Sequence, residues 1–319
     1  MKIEASRSAF SSCNDRFLKN YKQDVPFEEQ CRILQSLGLV DGLPITFTRE
    51  ADPVKLKKFL VDHGLRAGTI VPNTYSDSRY KGGTLSNRDP GVRSEFTRFC
   101  AEALDFCEAI GGVDVMLWLA HDGYDYPFED EYSRRWGWLS ENLHRIASHR
   151  KDVKVTIEYK PADPRIYQYI STAAKAIVLC EEVGLDNLGV ILDYGHALVA
   201  GETPAESVAL LSRHKRLFHI HLSDNYSKTD DDLVLGAVSL WQTLDFFYQL
   251  QEVGYEGWYV MDIWPPRMDG IAATKSFVRR ARGLWDIART IPREELKQLQ
   301  DSGNVPGIMD MLDRHILKI

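Results

Sequence analysis

Long apolar runs are missing from this sequence. No stretch approaches the roughly 18–20 consecutive apolar residues that a membrane span needs, and the opening "MKIEASRSAFSSCNDR" lacks the apolar segment of a signal peptide. No contact with a membrane and a cytoplasmic address are therefore the expectations. Cysteine is scarce and unpatterned: the five residues Cys13, Cys31, Cys100, Cys107 and Cys180 include no Cys-x-x-Cys pair. That spacing excludes a disulfide framework and a thiolate zinc site, and predicts reduced, mostly buried thiols. Positive charge is in deficit, since 39 Lys and Arg against 46 Asp and Glu leave a formal charge of −7. A nucleic-acid binder presents a basic stripe, so no nucleic-acid partner is expected. Linkers, low-complexity blocks and charge runs are absent too, which argues against a divided chain.

What is present is enough apolar residue, 44% of 319, for a sizeable core. Short β-rich runs recur between amphipathic stretches, the pattern of repeated βα units. Strands are predicted at about 7–13, 43–48, 66–72, 113–119, 153–158, 188–193, 217–222 and 257–263. Eight such strands make a closed parallel barrel, so the fold class is α/β, a (β/α)8 TIM barrel over 1–286. The tail 287–319 is helical by pattern, an extension that packs on the barrel or on a neighbouring subunit. No glycine-rich phosphate loop follows the seventh or eighth strand, where barrels commonly place one, which disfavours phosphorylated substrates.

In such a barrel the site lies where the strands end. The fifth strand ends in Glu158 followed by Lys160, the sixth in Asp193 followed by His196, the seventh in His221 and the eighth in Asp262. One strand-terminal acid is ordinarily a helix cap. Four consecutive strands delivering carboxylate or imidazole to one rim is a different matter, because packed carboxylates repel until a divalent cation removes the repulsion. A mostly oxygen set with one imidazole favours Mn²⁺, Mg²⁺ or Co²⁺, with Zn²⁺ as a further option. The loop after the seventh strand carries Asp230, Asp231 and Asp232, three adjacent acids that cannot pack in a core. If Asp193 bridges, His196, Asp230 and Asp232 supply a second set of ligands while Asp231 faces elsewhere.

The segments "IEYKPADP", "LDYGHA" and "HLSDNYSKTDDDL" resemble, in order and spacing, the metal-site motifs of xylose isomerase, with His221 where L-rhamnose isomerase and the ketose 3-epimerases place a histidine. "NTYSDSRYKGGTLSNRD" and "VMLWLAHDGYD" resemble the loops that wall the sugar in that family. The resemblance implies a first ion held by Glu158, Asp193, His221 and Asp262, and a second held by Asp193, His196, Asp230 and Asp232. It also implies that Lys160 hydrogen-bonds the sugar oxygen on which charge develops, that His196 contacts substrate, and that Trp118 and Tyr75 form a wall that excludes water. Glu158 and Asp262 are the acids that would move a proton if the reaction ran through an enediolate. The second strand, "PITFTREADP", lacks the ring-opening histidine of xylose isomerase, and His121 is a candidate to replace it.

The implied activity is aldose–ketose isomerisation of an unphosphorylated sugar with one or two ions, Mn²⁺ first among them, by a 1,2-hydride shift or enediolate proton transfer. A one-metal ketose 3-epimerase is an alternative, and so is a metal-dependent lyase or dehydratase of an oxidised sugar or cyclitol. A homo-oligomer, dimer or tetramer, is expected. A DNA-repair endonuclease would need several more metal-binding histidines and a basic groove, which nine histidines in all and a charge of −7 disfavour.

Overall fold

The structure is a computed structural model that describes residues 1–12, 22–73 and 75–319. Eight parallel strands close on themselves in sequence order: β1 Lys2–Glu4, β2 Gly42–Thr46, β3 Arg66–Val71, β4 Val115–Trp118, β5 Val155–Glu158, β6 Leu188–Asp193, β7 Leu217–Leu222 and β8 Trp258–Met261. The expected (β/α)8 TIM barrel is therefore the fold. Strands β5 and β6 are buried along their whole length, as parallel strands covered by helices must be. Their residues Val155, Ile157, Leu188, Val190 and Leu192 all belong to the one large core.

Local chemistry punctuates the units. Asp52, Asp89 and Asp269 cap the helices Pro53–Asp62, Pro90–Ile110 and Gly270–Arg289 by accepting from backbone N–H groups of the first turn. Gly111 and Gly184 end their helices with φ of +79° and +69°, a conformation in which a Cβ is costly. The last barrel helix runs past the expected boundary at 286, to Arg289. Beyond it the helices Arg293–Asp301 and Val305–Leu312 bury Leu296 and Met311 with Ile291 against Tyr248. Among the described residues no helix is long and apolar enough to cross a membrane. Cys31, Cys100, Cys107 and Cys180 are free and buried, and burial pushes the Cys31 thiol up to about 11.

One strand assignment needs correction. The run 7–13 is not β1: Ser8–Phe10 is a single 3₁₀ turn, and β1 lies upstream at Lys2–Glu4. The cause is local. Ser6 Oγ accepts from Ser8 N at 3.1 Å and Ser11 Oγ donates to Arg7 O at 3.0 Å, bonds that fold a serine-rich segment into a turn. Cys13, which closed the expected strand, lies outside the described residues.

Candidate metal centre and cavity

Register places the strand-end residues on one rim. Asp193 pairs with His221 across β6 and β7, His221 with Val260 across β7 and β8, and Trp118 with Glu158 across β4 and β5. Asp262 follows directly on β8, its N–H donating to Leu222 O at 3.1 Å. Glu158, Asp193, His221 and Asp262 thereby bring one ligand atom each within 4.8 Å of one another. His221 Nδ1 lies 3.0 Å from Glu158 Oε1 and 3.1 Å from Asp262 Oδ2. Asp193 also caps the short helix Tyr194–Val199, accepting from His196 N at 2.8 Å and from Ser223 Oγ at 3.4 Å. Both bonds fall on Oδ1, which leaves Oδ2 to the cluster; capping and ligation are compatible.

The donor set suits a divalent ion. Three carboxylates and an imidazole crowd one point where Glu158, Asp193 and His221 are at most 4% exposed. Burial, then the charges of Asp262, Asp230 and Glu158, outweigh the nearby His196 and push the Asp193 carboxyl up to about 6. The buried His221 Nε2 has no hydrogen-bond partner. A hard cation accepting oxygen and imidazole donors relieves that crowding. The structure thus contains a possible carboxylate–histidine metal site.

The second set is arranged differently. Asp230 Oδ2 takes Lys160 Nζ at 2.9 Å and His196 Nε2 at 3.1 Å. Burial alone would lower the Lys160 ammonium, but the Asp230 carboxylate holds it above its ordinary value. The same opposition holds for His196, raised to about 10 by Asp193 and Asp230 against its burial. Asp232, at φ +48°, has its carboxyl raised by burial and by Asp230 and Asp262. Among the described residues His196, Asp230 and Asp232 do not form a second group of converging ligand atoms. Asp231 faces away, accepting from Thr229 Oγ1 at 2.7 Å and Tyr226 N at 3.3 Å. Reciprocal bonds between Asp224 and Leu233, of 3.0 and 2.9 Å, pin the base of this loop.

Lys160 Nζ sits 5.1 Å above the Trp118 ring, and Trp118 packs on Tyr75 with ring centroids 4.9 Å apart. His121 Nε2 lies 2.8 Å from Tyr75 O and so is engaged in holding that loop. The buried Asp122 gathers the preceding loop through Thr84 N at 2.9 Å and Ser86 N at 2.7 Å. A cavity of about 360 Å³ opens beside the cluster, lined by His221, Asp262, Tyr75, Thr46, Asn73 and Arg7. That volume is within the range of small-molecule pockets. Sequence reading passed over Arg7 because it placed that residue inside a strand. It also passed over His219, which lies on the same inward face as His221 two residues earlier; the alternation in "LFHIHL" is the signal that could have found it.

The profile of the xylose isomerase-like TIM barrel matches residues 24–281. The chain belongs to that family. The xylose isomerase of Thermus thermophilus is 26% identical over 248 residues, covering 76% of this chain and 62% of its own length. The chain thus spans less than two thirds of that relative. Among solved structures, a xylose isomerase domain protein from Alicyclobacillus acidocaldarius superposes with a TM-score of 0.69 at 16% identity, over 90% of this chain and 99% of its own. A D-psicose 3-epimerase from Clostridium cellulolyticum, solved with D-tagatose, gives 0.67 at 18% identity over 91% and 98%. At that identity the structural likeness speaks to the family's fold alone.

Proposed function

We propose that this protein is a divalent-metal-dependent aldose–ketose isomerase acting on an unphosphorylated sugar, with Mn²⁺ as the expected ion and Mg²⁺, Co²⁺ or Zn²⁺ as substitutes. The observation that carries the reading is the convergence of Glu158, Asp193, His221 and Asp262 within 4.8 Å at the carboxyl ends of four adjacent strands. A xylose isomerase among the relatives supports the reaction class. A divalent ion held by Glu158, Asp193, His221 and Asp262 would supply Lewis-acid polarisation of a sugar oxygen.

The remaining roles fall to side chains. Lys160, a buried ammonium kept charged by Asp230, donates to the oxygen on which negative charge develops between C1 and C2. Trp118 and Tyr75 form the apolar wall that keeps water from the reacting carbons. His196, with Nδ1 held by Tyr159 O at 3.0 Å, would contact the sugar through Nε2 once that nitrogen leaves Asp230. A second ion is assigned to Asp193, His196, Asp230 and Asp232; holding it would free Lys160 from Asp230 for the sugar oxygen.

A one-ion ketose 3-epimerase is the second reading, favoured by the ion pair of Asp230 with Lys160, an ammonium standing where a second ion would compete for that carboxylate. Apo-protein reconstituted with Mn²⁺ and incubated with a panel of aldoses and ketoses, the products separated by chromatography, tests both. Aldose formed from ketose supports the isomerase, and C3-epimers alone overturn it. Asp232→Asn sharpens the result: the isomerase loses most of its activity while the epimerase keeps it.

A further inference from the structure

The cavity that His221 and Asp262 line is also lined by a cation, Arg7, that has no counter-ion among the described residues. Arg7 follows β1, and its backbone is fixed because its carbonyl accepts from Phe10 N and Ser11 Oγ, each at 3.0 Å. Its guanidinium lies 5.3 Å over the Phe27 ring, and Nη1 donates to Thr46 Oγ1 at 3.0 Å. Among the described residues no carboxylate comes within ion-pair distance of it. Among the described residues its buried Nε has no acceptor, and Nη2 makes no hydrogen bond. Burial holds the guanidinium below its ordinary value, with only Cys31 and Tyr75 opposing. A partly desolvated guanidinium without a counter-ion at the wall of a cavity is an arrangement that an anionic ligand completes.

We propose that Arg7 is the anion-recognising residue of this pocket and that the substrate is a sugar acid, whose carboxylate is taken by the free Nη2 of the guanidinium. This rests on the sugar-isomerase reading and narrows its substrate class. Nη2 carries two N–H donors, and the charge of the guanidinium strengthens each bond to a carboxylate oxygen. Ser8 on the same wall offers a further hydroxyl donor. A phosphate monoester carries nearly two charges, and among the described residues Arg7 is the one Lys or Arg lining the cavity. The other basic group there, His221, is already engaged with Glu158 and Asp262.

Calorimetry on the Mn²⁺-loaded protein tests this, using several aldoses, each beside its uronate and its 6-phosphate, with the eluted sugars checked for conversion. At least one uronate is expected to bind about 10- to 100-fold more tightly than its parent aldose, the range for charge-assisted hydrogen bonds. Arg7→Gln removes the preference while retaining Mn²⁺ binding. Arg7→Lys, which keeps the charge without the fork, retains only part of it and carries the test should Arg7→Gln fail to fold. Equal binding of aldose and uronate, a preference that survives Arg7→Gln, stronger binding of the 6-phosphate, or no binding across the panel overturns the proposal. A uronate bound through Arg7 but recovered unconverted would sink the isomerase reading and leave the anion site standing. A neutral aldose converted with no effect of Arg7→Gln does the reverse.

Discussion

Strand β7 carries two histidines on its inward face, and each is bound by two carboxylates, yet the two clusters are built for different ends. At the upper one, Glu158 and Asp262 approach the same nitrogen, Nδ1 of His221, so their oxygens converge on a point that Asp193 shares. At the lower one, Asp114 meets His219 Nδ1 at 2.9 Å while Glu4 approaches Nε2 at 3.3 Å, a charge contact rather than a well-formed hydrogen bond. There the ring stands between the acids and holds them apart. Glu4 and His219 are 0% exposed and Asp114 1%, whereas Asp262 lines the open cavity. Convergent oxygens with access to solvent make a place for a cation; oxygens separated by an imidazole make a place for a proton. Burial would lower the His219 ring, but Asp114 and Glu4 raise it to about 9.

The widest separation between the two clusters comes from removing each histidine. His219→Leu leaves Glu4 and Asp114 buried without their cation, and the expected loss is about 3–5 kcal/mol of folding stability. Added Mn²⁺ should not restore it, and denaturant melts of the variant with and without the ion check this. A full rescue would mean that the lower acids also take metal. Next in size is the effect of the ion itself. Mn²⁺ at about a hundred times its Kd should stabilise the parent protein by about 2.7 kcal/mol, read as a rise in melting temperature. Asp193→Asn should abolish that rise, since loss of a ligand exceeds the 10- to 100-fold cost typical of a supporting residue. An unchanged rise in this variant removes Asp193 from the centre.

The two clusters were unequally legible. Glu158, Asp193, His221 and Asp262 could be read because each terminates a strand with a clear apolar pattern, and a strand end has a known address in a barrel. Glu4 and Asp114 could not, because β1 has three residues, and Asp114 stands before β4, where nothing in a sequence says that a side chain turns inward. Misplacing β1 also hid Arg7: inside a strand it is one more charged residue, while just beyond Glu4 it belongs to the rim. The partnership of Asp230 with Lys160 was equally out of reach, since it joins loops after two different strands. The barrel itself survived one misplaced strand because seven others carried the repeat.

Two smaller substitutions probe how the lower cluster is supported. Gly68 lies on β3 against Glu4, and a Cβ built there would meet the Glu4 carboxylate at 2.1 Å. Gly68→Ala should therefore displace a buried acid that Thr69 N holds at 3.0 Å, at a cost of about 1–3 kcal/mol, with Mn²⁺ affinity unchanged. A shift in Mn²⁺ affinity measured by titration would show that the floor of the barrel positions the rim.

The smallest effect expected concerns single hydroxyls. Thr156 Oγ1 donates to Asp114 Oδ2 at 3.1 Å in a fully buried setting, and Thr156→Val keeps the shape while deleting the donor. Because His219 still holds the same oxygen, the loss should be near 1 kcal/mol rather than the cost of a bare charge. The matching change above, Ser223→Ala, removes a 3.4 Å bond to Asp193, and its cost in the Mn²⁺-loaded protein should be less than about half as large. Chemical denaturation of both variants, with and without Mn²⁺, resolves the pair. If Ser223→Ala proves the costlier with metal bound, then hydroxyl donors rather than the ion balance the charge of the upper cluster, and the division between a proton-held floor and a cation-held rim does not stand.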